Sequence, residues 1–491
     1  MNEQQVLAPK TSVVQILQRL DRISNRTLWL IVFVYVVIIA LFIQLVALPN
    51  FFPQIDNGNG LLARTDTALF HDLAVEQSRA IKENGWSAWT LYPQGEAGFS
   101  IAGIVSAVYA LTNSESPALM IPLNAAIHAT TAIILLSLVR LITNTRRGAV
   151  AASLPFVFFP SSLNWVAQIH KDGIFILGIL LTLCGLTLLA RLETWKRSPL
   201  YFLLGYAILV LGLATTWFIR PYGLQLIYVF SAIIAVPSIL LLLYYVRFKG
   251  ISIFQALAHA VLFVGLLVGM TGFLRSPISQ SVEPGDVTAV SEVLQAAETT
   301  STEIAGGTVP ITPLPLGGAD EWQRSAWLPG SLDQQLHTLS IFRDNVLTFG
   351  GDTDIDRTAR MSSAQDFIAY IPRALQISLF APFPDQWFGS GSLGILSAMR
   401  PIVGLEMLVT YLLLPFGLYA IWRWRHPQLW LTIGFCLFFM VMYSYITPNA
   451  GTLHRVRYGF MTTFLAISVA ALWNLFNNRD QSIVTSSADR L

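Results

Sequence analysis

The chain has 491 residues, of which 54% are apolar and only 12% are Asp, Glu, Lys or Arg, against about a quarter charged in soluble domains. With a mean hydropathy of +0.59 it needs lipid as a solvent. The formal charge of +2, with no block of basic residues, argues against a nucleic-acid surface.

Residues 1–28 are mostly polar and carry Lys10, Arg19, Arg22 and Arg26 ahead of a first apolar run at 29–48. No small-residue cleavage site follows, so the run reads as an uncleaved signal anchor with its tail in the cytoplasm. Residues 49–118 are acidic on balance and form a first outer loop. In it, Thr65 to Asp72 begin an amphipathic helix with Leu69, Phe70, Leu73, Ala74 and Ile81 on one face, ending near Gly85. The apolar stretch Ser100 to Leu111 covers only about 18 Å as a helix, too short to span, and suits a re-entrant or surface segment.

Six spans are expected within 119–274, at 119–141, 148–166, 173–190, 199–218, 223–245 and 251–274. Residues 275–400 are a second outer segment: Val282 to Asp320 reads as a flexible polar stretch, and 332–346 and 363–380 as helices, the latter opened by a Ser363/Asp366 capping box. Tyr370, Phe380, Phe383, Trp387 and Phe388 suit a headgroup interface. Three further spans, 401–422, 427–446 and 455–476, complete the region 401–476, and 477–491 is a cytoplasmic tail. Cys184 and Cys436 both lie in apolar runs and read as packing residues. The fold class is therefore an all-α polytopic membrane protein with ten transmembrane helices and two large extracytoplasmic segments.

The positive-inside rule places Arg140, Arg146, Arg147, Arg191, Lys196, Arg197, Arg247, Lys249, Arg423 and Arg425 on one side, with both termini. Three connections on the other side break it: His170, Lys171 and Asp172; Arg220; and His454, Arg455 and Arg457. Basic groups at that depth call for an anion, and a lipid phosphate is the natural one; ordinary headgroup contacts or pairing with Asp172 and Glu406 is the alternative. Asp66 faces this set from the first loop, either as a helix N-cap or as a general base. Asp72, Glu96, Asp172 and Glu406 are secondary candidates, with Glu406 placed to pair with an outer arginine. His128 and His259 read as hydrogen-bonded packing residues. Asp352, Asp354 and Asp356 alternate like calcium ligands but lack the Gly and Glu of an EF-hand loop, so they read as a solvated turn. No metal site is expected.

The order of features resembles the GT-C class of membrane glycosyltransferases, especially the protein O-mannosyltransferase and aminoarabinose-transferase branch. Over the first 220 residues the matching elements are a first span, Asp66 and Phe70, Tyr92-Pro93 before a short apolar helix, a span ending in Arg140 to Arg147, and Asn164-Trp165 before Lys171-Asp172. Near the end stands His454-Arg455-Val456-Arg457-Tyr458. The resemblance implies that Asp66 is the base and that Lys171, Arg220, Arg455 and Arg457 hold the phosphate of a polyprenyl-phosphate-linked sugar. Thr67 stands where many members have Glu, and Gly459 where a proline often follows.

The expected activity is inverting transfer of a sugar from that lipid donor to an extracytoplasmic glycan, lipid or protein at the inner (plasma) membrane. It requires no cofactor, leaves a divalent cation possible, and involves no nucleic acid. A polysaccharide polymerase or ligase, a lipid-linked-sugar transporter and an inactive scaffold are the alternatives. No inverted repeat or Walker-type loop is present to favour transport or nucleotide chemistry.

Overall fold

Long apolar stretches can satisfy their backbone N–H and C=O groups in lipid only as helices or closed barrels, and helices are what this chain forms. The computed structural model describes residues 23–63, 65–93, 97–192, 199–274, 321–348, 353–388 and 396–488. Among them are no strands, only three isolated β-bridges. Val282 to Asp320, Glu96 and Asp352 lie outside the described residues.

Helix α1 (Asn25–Phe42) starts at Ser24, whose hydroxyl accepts the Thr27 N–H at 3.1 Å, and runs on through a π-helical turn, Ile43–Ala47, to Phe51. Then come α2 (Asp66–Asn84), α3 (Ser100–Thr112), α4 (Ile121–Thr143), α5 (Arg146–Phe158), α6 (Pro160–Val166), α7 (Asp172–Leu189), α8 (Pro199–Ile219), α9 (Pro221–Lys249) and α10 (Ile253–Leu274). After the second long connection follow α11 (Gly330–Thr348), α12 (Ala364–Phe380), α13 (Leu396–Trp424), α14 (Pro427–Ile446) and α15 (Ala450–Ala488). Nine helices among the described residues are long and apolar enough to cross a membrane, or ten if α5 and α6 count as one bent span.

That bend corrects the expectation of an unbroken span at 148–166. The two helices meet at 61° because Pro160 supplies no N–H and holds Phe159 extended, at φ −65° and ψ 130°. A second correction concerns the late basic motif. The last span opens at Ala450, so His454, Arg455 and Arg457 lie in its second turn and beyond rather than at its start. The short helix α3 packs its Ile101, Ala102, Val105 and Tyr109 against Phe70, Leu73 and Ala74 of α2, as the apolar face of α2 anticipates. Helix α2 stops at Gly85, whose φ of 81° and ψ of 179° fall in a region essentially reserved for glycine.

The alternating helices define two ends. At the lower end Arg146 bonds Asn25 Oδ1 and the Ile23 carbonyl (both 2.6 Å), Arg191 reaches Asn144 Oδ1, and Gln428 Nε2 donates to the Ala190 carbonyl at 3.1 Å. The upper end carries α2, α3, α11 and α12. Small residues let α7 and α8 close tightly: a Cβ on Gly212 would stand 2.3 Å from the Thr182 amide nitrogen. Cys184 and Cys436 are buried, free and on different helices.

The second segment is clamped onto the junction of α14 and α15. Arg343 donates to the carbonyls of Tyr445 (3.0 Å) and Asp356 (3.3 Å), and the Ile355 N–H to that of Pro448 (2.7 Å). Asp354 accepts from Asn449 and faces Arg357, while Asp356 is paired with Arg373 (2.8 Å) and Tyr370 (2.8 Å). These aspartates are engaged anchors, not a solvated turn. Tyr370 therefore points inward, whereas Phe388 remains 71% exposed. The Ser363 cap is present, but Asp366 returns the bond to the Ser362 N–H (3.0 Å), one residue early for a regular capping box.

Candidate functional site

The loop before α2 is tied to the connection between α6 and α7, and this tie sets the site. Gln168 accepts the Leu62 N–H (2.9 Å) and donates to the Gly60 carbonyl (3.2 Å). Gln44 reaches the Ala167 carbonyl (2.9 Å), and Asn124 those of Val166 (3.0 Å) and Gln168 (2.9 Å). The start of α2 thereby meets the start of α7, and each brings a carboxylate to a helix N-terminus, where the dipole favours negative charge.

Asp66 is the first helical residue of α2, not its N-cap, which is Thr65. Its carboxylate turns away from the backbone to Arg455 Nη2, 3.0 Å away and 389 residues on in the chain. Arg455 Nε in turn stands 3.6 Å from Asp172 Oδ2, which also faces His170 Nδ1 at 3.5 Å. Asp172 Oδ1 accepts from Arg220 Nη2. The side chains thus form one chain, Arg220, Asp172, Arg455, Asp66, closed inside by 1–2% exposure at Asp172 and Arg220 and open outside, where the Asp66 side chain is 39% exposed.

Arg220 is placed by the one-residue gap between α8 and α9. Its N–H still bonds Thr216 and its carbonyl accepts the Gly223 N–H (both 2.8 Å), while Pro221 starts the next helix. The guanidinium lies 4.7 Å from the Phe175 ring centre. Its Nε and Nη1 atoms are buried without hydrogen-bond partners among the described residues, as are Asp172 Oδ2 and Arg455 Nε. Unmatched buried donors are costly unless a ligand takes them. Lys171 completes the set, donating to the Gly98 carbonyl at 3.2 Å above the Phe70 ring.

Burial raises the Asp66 carboxyl, but the Arg455 and Lys171 cations outweigh it and hold it below the ordinary carboxylate range, so it is ionised at neutral pH. Burial pushes His170 down to about 4, leaving it neutral. Burial, then the neighbouring Arg220, brings Lys171 down to about 8. Among the described residues, the three cations Arg220, Arg455 and Lys171 outnumber the two carboxylates Asp66 and Asp172 by one positive charge. Lys171 is harder to charge folded than unfolded, so stability rises with pH between about 8 and the ordinary 10.5. Anion binding is expected to run the opposite way, weakening as pH rises through about 8; polyprenyl phosphate titrations at pH 7 and 9 with wild type and Lys171→Met check this, the variant losing the pH dependence.

The other expected residues are elsewhere. Arg457 is fully buried and donates to the carbonyls of Ile377 (2.9 Å), Ser378 and Ala381 at the end of α12; it holds that helix down instead of binding phosphate. Arg457→Met is expected to cost about 1–3 kcal/mol of stability without changing anion affinity of the folded protein, as paired unfolding and binding curves would read. Glu406 pairs with no arginine among the described residues: Oε1 accepts the Ser161 N–H (2.8 Å), an orphan of the α5–α6 break, and Oε2 stands 3.7 Å from His454 Nε2. His454 thus belongs to this second buried group. Asp72 is exposed on the outer side of α2 beside Glu76 and Arg79. His128 is stacked on Phe156, and His259 bonds Tyr206 Oη at 2.7 Å. No group of three or more His, Cys, Asp or Glu side chains is gathered among the described residues in a way that could hold a metal ion.

The pairing of outer basic residues with Asp172, an alternative the sequence offered, is found: Asp172 is the hub between Arg220 and Arg455. One feature is not legible in the sequence. Phe70 and Phe175 form aromatic floors under two cations, for which no local pattern exists. No family model, curated protein or solved structure matches this chain.

Proposed function

We propose that the protein is a membrane glycosyltransferase of GT-C type, taking a sugar from a polyprenyl-phosphate donor at the upper, extracytoplasmic end. The observation that carries this reading is the half-buried Asp66–Arg455–Asp172–Arg220 chain, which together with Lys171 holds one excess positive charge and unmatched guanidinium N–H groups among the described residues. A sugar-linked phosphodiester carries one negative charge and would meet that excess.

Asp66, at the exposed end, is the group an acceptor hydroxyl can reach. The acceptor oxygen attacks the anomeric carbon as its proton passes to Asp66, and the bond from that carbon to the phosphate oxygen breaks with its electron pair leaving on the phosphate. The configuration at carbon inverts. The leaving lipid phosphate gains a second negative charge, which Arg220, Arg455 and Lys171 stabilise in a low-dielectric setting. Phosphate sharing Arg455 would also relieve the pull on Asp66 and make it a better base.

Binding tests the reading before any acceptor is known. Polyprenyl phosphate added to the full chain in nanodiscs is expected to bind saturably and far more weakly to Lys171→Met. Equal binding by the two proteins would remove the phosphate site, and with it the proposal.

A further inference from the structure

A cavity of about 190 Å³ lies at the other end of the bundle from Asp66 and Arg220, between α7, α9, α10 and α14. Its wall is almost wholly apolar, with Leu186, Leu189, Ile239, Leu242, Phe263 and Leu267 among its lining. His259, also in the wall, is closed by Tyr206 Oη, which bonds its Nδ1 at 2.7 Å and donates to its carbonyl at 3.1 Å. The histidine therefore imposes little polar demand on an occupant, and the space calls for a hydrocarbon.

The cavity is also deep. Leu242 lies seven residues before the end of α9 at Lys249, about 10 Å from the lower end, and Leu267 fourteen residues after the start of α10, about 21 Å in. This is the direction an acyl chain takes from a headgroup at the lower surface. The rim supplies charge for such a headgroup. Lys249 continues the lining face of α9, about two turns beyond Leu242, with exposed Arg247 on the outer face of the same last turn, and Arg191, which also bonds Asn144 Oδ1, stands between the lining residues Ala190 and Leu192. Residues 190–192, 247–253 and 423–428, all described, contain five Arg or Lys and no Asp or Glu.

We infer that this cavity and its rim bind an anionic glycerophospholipid of the lower leaflet, one acyl chain lying between α9 and α10 and the phosphodiester meeting Lys249, within the positive field of Arg191 and Arg247 at the same end. Basic pockets between membrane helices select anionic headgroups in this way. The mouth lies at the opposite end from Arg220, so the occupant enters from the other leaflet than the proposed donor, and the inference stands without the transferase reading.

Thermal unfolding and native mass spectrometry of the full chain in detergent test it, with phosphatidylglycerol and phosphatidylcholine of identical chains as probes. Phosphatidylglycerol is expected to raise the unfolding midpoint and to stay bound as a single adduct, and phosphatidylcholine to do neither. Arg247→Gln with Lys249→Gln, both at exposed positions, should weaken phosphatidylglycerol binding by roughly tenfold or more. Ala260→Phe, which fills the cavity, should abolish the midpoint shift. Equal shifts with the two lipids, or a phosphatidylglycerol shift that survives the double glutamine substitution, would overturn the inference.

Discussion

Asp66→Asn is expected to lower sugar transfer by about 10²- to 10⁴-fold, the usual contribution of a positioned general base. The amide still accepts from Arg455 Nη2 across the 3.0 Å contact and still fits the first turn of α2, so the fold and the anion site should survive. What is lost is the ability to take a proton. Polyprenyl phosphate affinity at or above the wild-type value with collapsed turnover would assign Asp66 to the chemistry, whereas turnover within a few fold of wild type would reduce it to the structural partner of Arg455. Asp72 would not then inherit the role, since it faces outward beside Glu76 and Arg79.

The second large effect is on stability. Arg220→Met is expected to destabilise the protein by about 3–5 kcal/mol, because the substitution strands Asp172 in the interior with a buried charge. Arg455, 3.6 Å from Asp172 Oδ2 and already paired with Asp66, cannot fully replace the lost partner. Removing both charges, in Arg220→Met with Asp172→Leu, should recover most of that stability, since a buried ion pair can often be exchanged for apolar packing at little net cost. It should not restore anion binding. Unfolding midpoints of the three proteins, set beside their polyprenyl phosphate affinities, separate the structural role of the pair from its functional one. Full recovery of binding in the double variant would place the phosphate elsewhere.

Much of the helical layout was legible in the sequence because span length and the placement of Lys and Arg are properties of local stretches. The α5–α6 bend was readable only in part. Pro155 and Pro160 stand in plain view, yet proline is tolerated in membrane helices, and what makes the break at Pro160 sustainable is the distant Glu406 accepting the Ser161 N–H. For the site, exceptions to the charge rule led to Lys171, Arg220 and Arg455, but the same rule also gathered Arg457. Arg455 and Arg457 stand two positions apart on α15, and at 3.6 residues per turn they point to different neighbours: one to Asp66, the other to the carbonyls ending α12. Sequence proximity could not distinguish them. The pairing of Asp66 with Arg455 spans 389 residues and depends on the Gln168, Gln44 and Asn124 ties that fix the intervening loop. Such contacts arise from tertiary packing and have no local signature.

The most direct measurement is turnover of lipid-linked sugars in proteoliposomes. Polyprenyl-linked sugars extracted from native membranes would be supplied with an envelope extract as acceptor, and the lipids followed by mass spectrometry. Wild type is expected to consume a monophosphate-linked sugar, release polyprenyl phosphate and form a product of inverted anomeric configuration, and Asp66→Asn to leave the donor intact. Folded, correctly inserted wild-type protein that neither binds nor consumes any such donor would contradict the transferase reading.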